Sequence, residues 1–528
     1  METPPSNILV NLVHSKHILM LTTTSICCSI FLPNFEVTIV STALVDISND
    51  MRAFNQTGWV MVGYLTTYTG LIIIWAKLSD IVGRKAVLTA SLVAFTVFSG
   101  GCGASQTITQ LVILRALQGS GGAGCFSVAS IIVFEMVPRA KYPLYGSLVS
   151  AVVALATLLG PIIGGAITQS ATWRWVFLIN VPIGTITAVL LLIALPTGFP
   201  FHGQKPAPIP LQDSFSMRLK RIDFLGTFLF LGASFTFVTA LLEASTKFQW
   251  SSPPTISLLV ISGVLAISFL VWERYITLYS RTQEPIFPWR FVHNRAWMGM
   301  LLVSLLLGVP FAVLVVSIPQ KLQTISNLSP LESGLRLLPY AIFAPFGAVL
   351  ANGFISRRKD FPPVYFVIAG ACIQLIGLSL FSVYGVERYV KGKQYACQAV
   401  SGLGLGMMFG TLVVMTPLSV ERQDLATATG AIVQFRQFGS TIGLSIATSI
   451  LNSKVRSRLP SVLSPAQLDA LLQTTTVIHR IPAELKAAVE DVFIEAYSLQ
   501  FKVLTAFSGA CLFAALMVWK KMQIKAPA

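Results

Sequence analysis

Fourteen apolar runs of about twenty residues each fill this chain, and their length decides most of what it can fold into. About 20 mostly apolar residues are needed for a helix to cross the hydrocarbon core of a bilayer. Runs of roughly that size begin near residues 18, 57, 86, 108, 146, 174, 222, 254, 297, 333, 363, 395, 428 and 499 of the 528. Inside lipid each segment must satisfy its own backbone amides, so runs this long form helices. With 54% hydrophobic and 11% charged residues, and a mean hydropathy of +0.73, a soluble globular fold is excluded. The expected class is all-α, a polytopic membrane protein with 14 transmembrane helices.

A formal net charge of +16 could suggest a nucleic-acid partner, but the basic residues sit in short clusters between the apolar runs. That distribution is a topology signal. With alternate loops inside, about 21 of the 37 Lys and Arg fall on the cytoplasmic side and about 14 outside, which places both ends in the cytoplasm. Two sequons, Asn55-Gln-Thr and Asn327-Leu-Ser, then lie in outside loops; they are glycosylation candidates, or tripeptides never used as such. The first apolar run lacks a basic region and cleavage site, so it reads as helix 1 rather than a removed signal. Seven scattered cysteines without CxxC spacing give no disulfide framework and no metal site. No cofactor is expected.

The runs divide as six, two and six. Residues 1–195 carry helices 1 to 6, 196–221 form a Pro-rich cytoplasmic linker with Lys205, Arg218, Lys220 and Arg221, and 222–296 hold helices 7 and 8. Residues 297–528 hold helices 9 to 14, with a long outside segment at 453–497. Ser464-Pro465 and Pro482 within it read as starts of short helices.

Several polar or small-residue patterns stand out against this background. Gly160-Pro161-Ile162-Ile163-Gly164-Gly165 lies inside helix 5. Proline there removes a backbone hydrogen bond and bends the helix, and Ala156, Gly160 and Gly164 make a face for close packing. From the residues alone this is a kinked packing helix or something more specialised. Arg115 in helix 4 and Glu36 in helix 1 are ionisable groups at membrane depth, where such residues face a cavity or a partner. Arg115 shares a helical face with Gln118 or Gly119 and with Gly122. The pair reads as proton or substrate handling, or as a structural ion pair. Asp80, Gly83, Arg84 and Lys85 form a charged turn between helices 2 and 3, and Glu135 ends helix 4 within reach of Arg84. Arg436-Gln437 sits inside helix 13, facing a substrate or another helix. Asp223 and Glu243 are further acids at the ends of helix 7. Gly402, Gly406 and Gly410 make one small-residue face, and Gly439, Gly443 and Ala447 another.

Enzyme and pump motifs are missing. Gly119-x-Gly121-x-x-Gly124 lies in an apolar helix without the strand a dinucleotide site needs. Gly392-Lys393 is followed by Gln394, with no Walker A glycine upstream. Neither HExxH, GxSxG nor a His/Cys cluster occurs. An enzyme is not expected.

Taken in order, these segments resemble the fourteen-helix drug:proton antiporter branch of the major facilitator superfamily, most like fungal efflux pumps for toxins and secondary metabolites. The GPIIGG run resembles that family's fifth-helix antiporter motif, Trp75–Lys85 its gate loop and Arg115–Gly124 its fourth-helix signature. Trp173–Gly184 and Ile222–Gly226 resemble signatures of the fourteen-helix branch. Departures are Glu36 for the usual Asp, Ala76 for the first gate-loop glycine, Ser41 for Asn and Glu135 for Asp.

The resemblance implies two six-helix bundles plus an inserted pair and proton-coupled export of a small organic molecule by alternating access. Glu36 and Arg115 are then the coupling residues; Asp80, Gly83, Arg84, Lys85 and Glu135 the gate; Gly160, Pro161, Gly164 and Gly165 the antiporter motif; and Gln118, Arg436 and Gln437 the substrate or partner contacts. A monomer in the plasma membrane is expected, with protons, lipid and a small molecule as partners and no nucleic acid. A siderophore or vacuolar basic amino-acid transporter shares the architecture, with a vacuolar membrane as the other address. A non-transporting membrane sensor is the reading from a different class.

Overall fold

The computed structural model describes residues 16–137, 142–196, 223–244, 248–280, 289–358, 360–385, 392–420, 425–473 and 483–519, with isolated positions at 199, 283 and 285–287. Fourteen long helices make up the described chain. They are α1 Lys16–Asp50, α2 Thr57–Val82, α3 Arg84–Ala104, α4 Ile108–Glu135, α5 Tyr142–Ser170, α6 Arg174–Ala194 and α7 Phe224–Glu243. They continue as α8 Pro253–Tyr279, α9 Arg295–Thr324, α10 Leu338–Arg357, α11 Val364–Tyr384, α12 Gly392–Leu418, α13 Leu425–Arg458 and α14 Ala483–Val518. The linker residues Lys205, Arg218, Lys220 and Arg221, and Pro482, lie outside the described residues.

Among the described residues, thirteen helices are long and apolar enough to cross a membrane by length and composition. The remaining one is α13. At 34 residues it is about 50 Å long at 1.5 Å per residue, so its length suffices. Gln434, Arg436, Gln437, Ser440, Thr441 and Ser445 lower its hydropathy, and all are buried against other helices. α13 is an interior helix, packed on α9, α2, α14 and α7.

The packing repeats. In the first six helices α1 packs on α5, α4 on both α2 and α3, and α6 on both α3 and α1. In the last six α9 packs on α13, α12 on both α10 and α11, and α14 on both α11 and α9. Two further contacts join the sets reciprocally: α2 with α13, and α5 with α10. The two glycine faces mark this second set. A Cβ at Gly402 would sit 2.6 Å from the Tyr340 carbonyl oxygen, and one at Gly443 would sit 3.0 Å from Val309 Cα, so α12 lies directly on α10 and α13 on α9. The α7–α8 pair flanks α2 and α13. Its outer helix α8 turns Ile256, Val260, Val264, Ile267 and Val271 outward, a stripe at helical spacing that faces lipid.

The segment 453–497 carries the short helix expected from Ser464-Pro465, over Pro465–Gln473, and the flanking helices reach further into it than the apolar runs indicate: α13 runs on to Arg458 and α14 begins at Ala483. The reason is amphipathic continuation. Val489, Phe493, Ala496 and Tyr497 are buried at helical spacing, while Glu495, on another face, pairs with Lys454 and lies 4.0 Å from Arg458. Charges on the solvent face end an apolar run without ending a helix.

Asn327 and Arg357 bracket the helix Pro330–Leu335 and α10, so they belong to opposite membrane faces. In a cysteine-free background, cysteine at 327 should react with an impermeant maleimide added outside intact cells, and cysteine at 357 only after permeabilisation. The reverse pattern would invert the topology.

Candidate functional site

The innermost polar cluster joins α1, α2, α3, α4 and α6. Glu36 and Arg115 are both fully buried and form an ion pair from Arg115 Nη1 to Glu36 Oε1. The other carboxylate oxygen, Oε2, accepts from Asn180 Nδ2 at 2.5 Å. Arg115 also donates to Gln118 Oε1 at 2.7 Å and to the Val60 carbonyl at 3.1 Å. Gln118 Nε2 and Asn180 Nδ2 both donate to Ser99 Oγ, at 3.0 and 3.3 Å. The guanidinium lies 4.3 Å from the Tyr64 ring centroid, a cation–π contact strengthened by the dry surroundings. The glycine face beside Arg115 leaves no open space above it: a Cβ at Gly119 would strike the Tyr64 carbonyl, and one at Gly122 would be 2.5 Å from the Tyr64 hydroxyl. Glycine lets α2 press on α4 and bring the ring over the charge.

A second cluster lies where α2 ends. Gly83 has φ +108°, a conformation that L side chains rarely adopt, and it turns the chain into α3. Arg84 then reaches Asp80 Oδ1 at 2.5 Å, and Glu135 through Nη2 at 2.6 Å and Nε at 3.0 Å. Its Nη1 donates to Ser79 Oγ at 2.5 Å. Lys85 donates instead to the Leu192 carbonyl on α6 at 2.7 Å. The turn therefore ties the ends of α2, α3, α4 and α6 together.

The third feature is the GPIIGG segment of α5, which has two packed faces. On one, Thr38 Oγ1 donates to the Ala156 carbonyl at 3.0 Å, and a Cβ at Gly160 or Gly164 would collide with Thr38 or with the Ile39 carbonyl of α1. On the other, a Cβ at Gly165 would lie 2.6 Å from Leu331 Cα, and one at Gly334 would strike the Pro161 carbonyl. Close contact with the helix Pro330–Leu335, together with the bond from Gln323 Nε2 to the Thr42 carbonyl at 3.0 Å, closes this end of the molecule.

Between α5, α9, α10, α12 and α13 lies a cavity with an empty volume of about 490 Å³, its mouth included. Ser150, Thr157, Phe311, Pro345, Phe409 and Arg436 are among its lining residues. Gln118 does not line it, being held by Arg115 and Ser99, and Gln437 lies buried one residue beyond Arg436. Asp223 caps α7 by accepting from Gly226 N and Trp272 Nε1, both at 2.8 Å, and Glu243 accepts from Trp59 Nε1 at 3.1 Å. Of the sequon asparagines, Asn327 is exposed and Asn55 half-buried.

Fourteen packed membrane-length helices in two matching sets of six, with a cavity between the sets, define a polytopic membrane transporter. The chain belongs to the major facilitator superfamily, whose model matches residues 26–284 and 277–444. It is similar to the MFS-type transporter FPY5 of Fusarium mangiferae, at 38% identity over 506 residues, covering 96% of this chain and 84% of that one. It is 27% identical over 501 residues to the rubrofusarin-specific efflux pump aurT of Gibberella zeae, covering 94% and 88%. A bacterial homologue of the human lysosomal transporter Spinster, in an inward-facing and unoccupied conformation, shares the fold. Its TM-score is 0.60 with 15% identity, over 96% of this chain and all of the other.

Asn180 entered the sequence reading only as part of the Trp173–Gly184 segment, and Ser99 and Tyr64 not at all. Asn180 carried a usable signal, a carboxamide inside an apolar run that must find a partner or pay for burial. Ser99 and Tyr64 carried none, because hydroxyls are common in helices.

Two outcomes follow. Asn180→Ala leaves a carboxylate oxygen buried without its donor and should cost about 1.5–3 kcal/mol, seen as a lower melting temperature in detergent. Gly164→Leu should separate α1 from α5 and abolish transport while the protein still reaches the membrane, whereas normal flux would show that close packing there is dispensable.

Proposed function

We propose that this transporter is a proton-coupled exporter of a small organic molecule, a fungal secondary metabolite or toxin, acting from the plasma membrane. The observation that carries the reading is the Glu36–Arg115 pair. It is a titratable acid sealed inside one six-helix set, with its counter-charge on another helix. In this scheme the bodies that rock are residues 1–195 and 297–528, with 222–296 as a flank.

α1 supplies the linkage. Glu36 points toward α4 and α6, while Thr38, two residues on, meets α5. Protonating Glu36 releases Arg115 to its neutral partners and loosens α1 on one side. On the other side α1 is seated against GPIIGG, and α5 meets the helix before α10. A shift of α1 thus reaches the seam between the two sets, and a proton binding one arrangement more tightly than the other biases the equilibrium by that difference. The Asp80–Arg84–Glu135 cluster acts as the latch at the opposite face. Efflux pumps among the relatives support the outward direction.

Inverted vesicles from cells expressing the chain supply the test, with uptake of candidate metabolites followed with and without an imposed pH gradient. Wild type should accumulate cargo only with the gradient. Glu36→Gln should lose accumulation yet still exchange cargo down its gradient. Accumulation by Glu36→Gln would remove Glu36 as the carrier, leaving Asp223 and Glu243 as the next acids to vary.

A further inference from the structure

Among the described residues two arginines are buried at membrane depth, and only one of them is matched by an acid. Arg115 has Glu36. Arg436 on α13 is 4% exposed, and among the described residues it makes no ion pair with any carboxylate. Its Nε has no hydrogen-bond partner. The groups that act on it electrostatically are the phenols of Tyr68 and Tyr340, both neutral hydrogen-bond donors, and the Tyr340 hydroxyl is itself unpartnered. Around the guanidinium stand aromatic rings, with the Phe409 centroid at 4.8 Å and that of Phe311 at 5.3 Å. All three residues line the central cavity, whose other lining residues are apolar apart from Ser150 and Thr157.

Placing an unpaired cation in an apolar interior costs several kcal/mol, and the cavity wall supplies no acid to offset it. Among its polar lining residues Ser150 and Thr157 already donate to the Gly146 and Val153 carbonyls, so the Arg436 guanidinium is the donor that awaits an acceptor. The cavity's volume suits a drug-sized molecule. We propose that Arg436 is the recognition group for an organic anion, so that the cargo class is an organic acid with an apolar or aromatic body. The carboxylate would take the guanidinium in a bidentate pair, with Phe311 and Phe409 flanking the body. The inference rests on the exporter reading for the cavity's purpose, but it concerns only what the cavity binds.

Binding to the purified full-length chain in detergent separates the two. The probes are 2-naphthoate, its methyl ester and 2-naphthylmethylammonium, which share one ring system and differ in charge. The acid should bind at least tenfold tighter than the ester, and the ammonium weakest. Arg436→Gln should bring the acid down to the ester's affinity, while Arg436→Lys should keep part of the preference. Equal or tighter binding of ester or ammonium would overturn the proposal, as would an acid preference that survives Arg436→Gln, or no Arg436-dependent binding by any probe. Should Arg436→Gln fail to yield monodisperse protein, the ranking of the three probes on wild type decides alone. The exporter reading fails separately: transport that ignores the pH gradient leaves the acid preference intact.

Discussion

Burying Glu36 and Arg115 together imposes the strictest condition on this structure. Two charges taken out of water must recover their hydration through geometry, and a pair that merely touches does not recover it. Here the recovery is distributed over Asn180, Gln118, Ser99, the Val60 carbonyl and the Tyr64 ring. Five helices must therefore converge at one depth. Removing either partner would strand a charge at a cost of about 3–5 kcal/mol, whereas apolar residues of similar volume would often serve stability as well or better. A pair that stability alone does not require is well suited to a group that changes charge during work.

Close packing transmits what happens there. α1 carries Glu36 on one side and a surface shaped for glycine on the other, so it lies between the charged cluster and the GPIIGG segment of α5. A Cβ at Gly160, Gly164 or Gly165 would come within 2.6 Å of a neighbouring helix, so there is little slack, because dense interiors pass displacement on rather than absorb it. Arg436 works differently. Its surroundings are finished in shape and unfinished in charge, which is what a ligand site requires.

Much of this was legible in the amino-acid pattern. Thirteen helices announced themselves by length and hydropathy because lipid leaves the backbone no alternative. α13 was found as an apolar run although its buried glutamines and Arg436 dilute it. The glycine faces at 402–410 and 439–447 marked places of close helix packing without naming the partner, since small residues at four-residue spacing have few other uses in lipid. Other features had no local signature. The contact of Gly165 with Leu331 joins segments 166 residues apart in sequence. Pro482 signalled a helix start, but the unbroken run of α14 from Ala483 to Val518 was hidden because its charged outer face breaks the apolar count. The missing acid beside Arg436 is visible only when every neighbour is known.

Infrared difference spectroscopy of the purified protein during a pH step from alkaline to acid tests the central claim most directly. A protonated carboxylic acid in a dry site gives its own carbonyl stretch, resolved from the carboxylate bands. Among the described residues Glu36 is one of three buried acids, with Asp223 and Glu273, and its own protonation should produce such a band, absent in Glu36→Gln and shifted in Asn180→Ala, where its hydrogen bond is gone. A spectrum in which no carboxylic-acid band depends on Glu36 would make the pair a fixed structural element and leave the proton without a carrier there.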